Sequence, residues 1–161
     1  MKQSYLTKLN KITELIFNDS DLIGIIEKLK LELNLSDQPF LGKAIKSISL
    51  PFTLPDEIKS VWIFVIKKNT PSISHYHPNS VQHTTVIEGC GKVMIGDKLR
   101  DLKSFDSSNE NTWYIIDKNL PHEFFPGNED LVVLSFHSCL PEDLIEVKSK
   151  SGCERKYVNE N

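Results

Sequence analysis

The apolar positions fall into two regimes. Leu6, Leu9, Ile12, Leu15 and Ile16 recur at spacings of three and four, the stripe of an amphipathic helix. Asn18-Asp19-Ser20-Asp21 interrupts that stripe, and Asp19 or Ser20 can cap a second helix carrying Leu22, Ile25, Ile26, Leu29 and Leu33. Gly24 weakens the second stripe only slightly. The pattern predicts a helical segment over residues 1–38. Two such stripes suit a cap laid on a sheet, which is the favoured expectation, or a contact with a partner.

From about residue 40 the period shortens. Ala44 to Leu50, Val61 to Lys67, Ile73 to His77, Val81 to Ile87, Lys92 to Ile95, Trp113 to Ile116, His122 to Phe125 and Leu131 to His137 read as short strands between Pro, Gly, Asn and Asp clusters. Many short strands predict a mainly β sandwich or barrel over residues 39–148. Glu88-Gly89-Cys90-Gly91, Ile95-Gly96-Asp97 and Asn128-Glu129-Asp130 read as hairpin turns. Trp62, Phe64 and Ile66 share one strand face, and Val61, Ile63 and Val65 the other. Both faces are apolar, so one is expected to line the interior and the other to meet the helices. Residues 149–161 are polar and expected to form a flexible tail.

Composition excludes several classes. A chain of 161 residues with 39% hydrophobic and 25% charged residues is expected to be one soluble domain. The net charge of -3 and the lack of a basic stripe argue against nucleic acid. No window approaches the roughly 20 apolar residues of a membrane span, and Met1 to Tyr5 has no apolar leader core, so a cytoplasmic location is expected. Cys90, Cys139 and Cys153 are odd in number and irregularly spaced, and read as free thiols.

The candidate chemistry sits at His75-Tyr76-His77. On an extended segment a His-x-His pair puts both imidazoles on one face, which makes half of a metal site. The turn Pro78-Asn79-Ser80 leads into a return strand whose Gln82 is the first side chain placed to join the pair. His122 is the leading candidate for a further ligand.

These residues resemble the first motif of the cupin superfamily: His-x-His, three or four residues, Glu, six residues, Gly. Here His75 and His77 are followed by four residues, Gln82, six residues and Gly89, with Gln in place of Glu. The second cupin motif, Pro-x-Gly-x-x-His-x-x-x-Asn, is matched in spacing by Asp117 to His122, with Pro126 at the last position. Only the His is kept, and Asn119 replaces a Gly because both tolerate left-handed backbone. The resemblance covers roughly residues 44–140. It implies a jelly-roll β-barrel, here with an N-terminal helical hairpin.

It also implies a divalent metal (Fe, Ni, Zn or Mn) held by His75, His77 and His122, with Gln82 where the family has its carboxylate ligand. Three imidazoles and an amide are all neutral, so the charge of the metal would favour a small anionic molecule. The three-His face resembles thiol dioxygenases, which implies an oxygenase-like enzyme. The alternatives are a non-catalytic small-ligand binder or sensor, and a sugar isomerase or epimerase. Tyr114 is the candidate acid–base or hydrogen-bonding residue at the pocket. His83 should point away from Gln82. His137, at the end of its strand, is expected to be exposed. Glu88 is about 20 Å along the strand from Gln82, and no acidic residue stands out as a general base. A homodimer is expected, as cupin barrels often pair through sheet edges.

Overall fold

The computed structural model describes residues 2–46 and 53–157. Helices α1 (Lys2–Phe17) and α2 (Ser20–Asn34) meet at Asp19, whose side chain caps α2 by accepting a bond from the Asp21 backbone N–H. The strands are β1 (Phe40–Ile45), β2 (Ser60–Ile66), β3 (His75–Tyr76), β4 (Gln82–Glu88), β5 (Gly91–Ile95), β6 (Lys98–Asp101), β7 (Tyr114–Ile116), β8 (His122–Pro126), β9 (Leu131–His137), β10 (Ile145–Lys148) and β11 (Glu154–Lys156). They form a five-stranded sheet in the order β1-β2-β9-β4-β7 and a six-stranded sheet in the order β11-β10-β3-β8-β5-β6.

The two-sided apolar pattern of β2 sorts the layers. Val61, Ile63 and Val65 join Leu9, Ile12, Ile26, Leu29 and Leu33 in an outer core between the helices and the five-stranded sheet. Trp62, Phe64 and Ile66 face inward with Val93, Phe124 and Val133, in a second core between the sheets. Each such burial stabilises the fold by roughly 1.5–3 kcal/mol. The helices are therefore a cap on one sheet. The cap is keyed by the Trp113 indole, which donates to Asn10 Oδ1 at 2.7 Å.

Several expectations shift. β1 starts at Phe40, ahead of the expected Ala44, and residues 47–50 lie outside the described residues. Gly42 breaks the strand signature, yet the Phe64 ring occupies the space that its side chain would fill. The turn at residues 95–97 does form a hairpin, between β5 and β6. The turns at residues 88–91 and 128–130 do not; they carry the chain from the five-stranded to the six-stranded sheet and back. They lie against each other: Gly89 has φ +86, and a Cβ there would sit 2.6 Å from the Asp130 carbonyl.

β10 and β11 were not anticipated. The segment expected as a frayed tail instead adds β11 to β10, with Arg155 opposite Glu146, and buries Tyr157 in the inner core. Among the described residues no helix is long and apolar enough to cross a membrane.

Candidate metal centre

β3 is only two residues long, and it is held between β10 and β8. His75 is the register partner of His122, the first residue of β8, and their ring centroids are 4.5 Å apart. His77 lies just past β3, with its ring centroid 5.2 Å from each of the other two. The turn before β8 is tied to this point, since the Asn119 N–H donates to the His77 carbonyl at 3.0 Å. Asn119 has φ +63, the left-handed geometry anticipated for a residue replacing Gly.

All three imidazoles are buried, and each Nδ1 faces a backbone carbonyl: His75 that of Ile73 at 2.9 Å, His77 that of Ile145 at 2.7 Å, His122 that of Leu120 at 3.0 Å. A carbonyl only accepts, so each ring carries its proton on Nδ1 and leaves Nε2 bare. The ligand atoms of the three lie within 4.8 Å of one another. Burial also drives them neutral. His77 is lowered to about 4 by burial and by His75. His122 lies well below its ordinary value, first from burial and then from the two neighbouring imidazoles. Burial lowers His75 as well, against the pull of Glu146.

Gln82 lines one cavity with the three imidazoles. Its amide nitrogen donates to Thr84 Oγ1 at 2.6 Å and Ser135 Oγ at 3.3 Å, which uses both N–H bonds. Gln82 Oε1 is then buried with no partner, and so is His122 Nε2. Orphaned buried acceptors cost about 1–3 kcal/mol each, and a cation is one partner that would satisfy both. Neutral imidazoles with bare nitrogens and an amide oxygen are a donor set that fits a divalent transition metal. The cavity these residues share, lined also by Phe40, Phe64, Ile66, Phe124, Val133 and Tyr157, has a volume of about 20 Å³. That is room for about one water-sized body.

No protein-family model matches the chain, and no curated protein matches its sequence. Solved structures do resemble it. Salicylate 1,2-dioxygenase from Pseudaminobacter salicylatoxidans aligns over 70% of this chain and 31% of its own, with 12% identity and a TM-score of 0.53. The 11S globulin from Wrightia tinctoria aligns over 70% of this chain and 28% of its own, with 14% identity and a TM-score of 0.54. A protein with a double-stranded β-helix domain from Klebsiella pneumoniae aligns over 64% and 79% respectively, with 19% identity and a TM-score of 0.48.

The fold is that of the cupins.

The chain spans under a third of the dioxygenase and globulin chains, so the likeness concerns this fold and no more. Within the cupin frame the structure gathers His75, His77, Gln82 and His122 around one cavity. Tyr114 is not among the residues that wall it. Its hydroxyl donates to the Asp101 carbonyl at 2.9 Å and accepts from the Lys103 N–H at 2.7 Å, so its polar end is spent on backbone beyond the histidines. The His83 ring meets that of Tyr5 of α1 at a tilt, with centroids 5.2 Å apart, on the helix side of the sheet. Glu88 pairs with Lys30 of α2 at 2.7 Å.

Three residues of the site were missed. His137 is wholly buried rather than exposed, because β9 is the middle strand of its sheet, with Ser60 and Gln82 as register partners. Its ring centroid is 5.2 Å from that of His77, Nδ1 meets Ser80 Oγ at 2.8 Å, and Nε2 has no partner. Glu146 is buried behind the centre, 3.4 Å from His75 Nδ1, where no acidic residue was foreseen. Arg155 pairs with Glu146, and the Tyr157 hydroxyl donates to Glu146 Oε1 at 2.8 Å. An Asp, Glu or Arg is exposed by default, so only the strands that bury these residues reveal them. The alternation of Ile145 and Val147 was the one available signal.

Proposed function

We propose that the protein is a metal-dependent, oxygenase-like enzyme acting on a small anionic molecule, with His75, His77, His122 and Gln82 holding the metal. One observation carries this: three buried imidazoles whose Nδ1 protons are all committed to carbonyls, with Nε2 atoms left bare within one small space. Second-sphere bonds of this kind orient imidazole ligands and raise their basicity. A divalent metal held there would supply Lewis acidity or, if redox-active, the means to activate dioxygen.

The chain supplies the rest. Phe64, Ile66, Phe124 and Val133 exclude water from the open side, and the Thr84 and Ser135 hydroxyls fix the Gln82 amide. The Glu146–Arg155 pair adds no net charge, so an anion remains the favoured ligand. Salicylate 1,2-dioxygenase, whose variant was solved in complex with gentisate, supports an organic acid as the ligand class. The small size of the cavity favours a second reading, a binder that holds its ligand without turnover.

Oxygen consumption by the Fe²⁺-loaded protein, with small thiols, enolic ketones and carboxylates, separates the two. The enzyme reading predicts uptake with at least one of them. Saturable binding of a carboxylate with no uptake from any compound would favour the binder.

A further inference from the structure

Among the described residues Glu146 is the one buried carboxylate, while the cavity at the histidines has no acidic residue in its lining. A carboxylate is rarely buried unless it is paired, and this one stands directly behind an imidazole. β10 brings it there. The register of β10 against β3 sets Val147 opposite Tyr76 and Lys148 opposite His75. Two successive residues of β10 then serve the two imidazoles of the pair. The Ile145 carbonyl accepts from His77 Nδ1 at 2.7 Å, and Glu146 Oε1 lies 3.4 Å from His75 Nδ1. The Nδ1–H of His75 already donates to the Ile73 carbonyl, so Glu146 acts on this ring through its charge.

That charge is fixed in direction. The Tyr157 hydroxyl donates to Oε1 at 2.8 Å, and Arg155 Nε pairs with the other oxygen, Oε2. The register of β10 and β11, with Glu146 opposite Arg155, sets this arrangement. The ion pair has no net charge, yet its negative end is the one turned to His75, and the pull of Glu146 on the ring exceeds the push of Arg155. Burial keeps the field of the carboxylate from being screened by water. An imidazole bonded to a divalent ion carries more positive charge at its Nδ1–H than a free one. A negative charge facing that atom therefore stabilises the loaded centre more than the empty one.

We propose that Glu146 is a positioning residue of the centre: it acts through His75 as the counter-charge that the neutral Gln82 does not provide, and so sets how tightly the ion is held. The inference rests on the metal-centre reading above, but gives a role to a residue outside the ligand set that the reading does not require.

Charge and shape are separated on the full chain with Co²⁺. Competition with a chelator measures its affinity, and its visible bands report the ligand set. Glu146→Gln keeps the shape and removes the charge. It should bind Co²⁺ about 10- to 100-fold more weakly than wild type, with unchanged bands at saturation. Glu146→Asp keeps the charge and shortens the side chain. It should bind more tightly than Glu146→Gln and recover most of the wild-type affinity, whereas a residue that served packing alone would give the reverse order. Wild-type affinity in Glu146→Gln, a Glu146→Asp no tighter than Glu146→Gln, or bands in Glu146→Gln that report a different ligand set would each overturn the proposal and leave the metal centre standing. A wild type that takes up no Co²⁺ would instead remove the metal-centre reading, and this inference with it. Should circular dichroism show Glu146→Gln unfolded, Glu146→Gln/Arg155→Gln replaces it and removes both charges of the pair. It should still bind more weakly than wild type, because the charge facing His75 is lost, and equal affinity there also overturns the proposal.

Discussion

His75 and His122 stand directly opposite each other on β3 and β8, and each donates a hydrogen bond from Nδ1 to the carbonyl two residues before it. Both carbonyls come from loops bent through left-handed backbone: Ile73 itself has φ +73, and Asn119, next to Leu120, has φ +63. Asn tolerates that geometry, while a β-branched residue in it is strained by about 1–3 kcal/mol. Ile73 is also 46% exposed, so little packing offsets the strain. Ile73→Asn should therefore raise stability by about 1 kcal/mol in urea denaturation, with the His75 bond retained because it uses backbone. A lower midpoint would mean that the Ile73 side chain matters more than its backbone strain.

The buried imidazoles make the metal-free protein acid-sensitive. Unfolded, His77 titrates near 6.5; folded, it stays neutral down to about 4. Between those values the unfolded state binds the extra proton, so stability is complete above about pH 6.5 and falls as pH drops towards 4. A shift of that size is worth on the order of 3 kcal/mol, to which His122 adds in the same direction. Urea denaturation of metal-free protein from pH 7.5 to 4.5 measures it. A flat profile would contradict the burial of these rings in a common cluster.

Much of this arrangement was legible beforehand. The spacing of His75, His77, Gln82 and Gly89 survives into the structure because β3, a turn and β4 are local. His122 was found by its place downstream. The two apolar faces of β2 predicted that one would meet the helices and the other the interior; which is which is settled only by the packing. What could not be read is non-local. Glu146 and Arg155 are charged residues in what looks like a polar end, and only the pairing of β10 with both β3 and β11 buries them. His137 looked like a strand terminus, and its position between β2 and β4 makes it interior. Tyr114 shares the inner core as expected of an aromatic, but the turns around residues 101–103 claim its hydroxyl.

The terminal segment contributes directly to stability. Tyr157 is buried, and its hydroxyl donates to the equally buried Glu146 carboxylate at 2.8 Å. Tyr157→Phe keeps the packing and removes a bond to a charged acceptor, which should cost about 2 kcal/mol in denaturant unfolding. A variant as stable as wild type would show that β11 does not contribute through this bond.

Under the proposed function Gln82 sets the charge of the centre. Its orphaned Oε1 is the atom the cupin carboxylate would provide, and the Thr84 and Ser135 hydroxyls that now accept from its amide can equally donate to a carboxylate. Gln82→Glu should tighten divalent metal binding by about tenfold or more, since an anionic oxygen replaces a neutral one in a buried site. Unchanged affinity, measured by competition with a chelator, would place Gln82 outside the ligand set.

The central claim is that three imidazoles hold one divalent ion, and metal content tests it most directly. Elemental analysis of protein purified without added metal, then after incubation with Fe²⁺, Ni²⁺, Zn²⁺ or Mn²⁺ and desalting, should find about one ion per wild-type chain and close to none in folded His75→Ala/His122→Ala. A wild-type protein that stays metal-free with every one of these ions, or a double variant that holds as much as wild type, would contradict it.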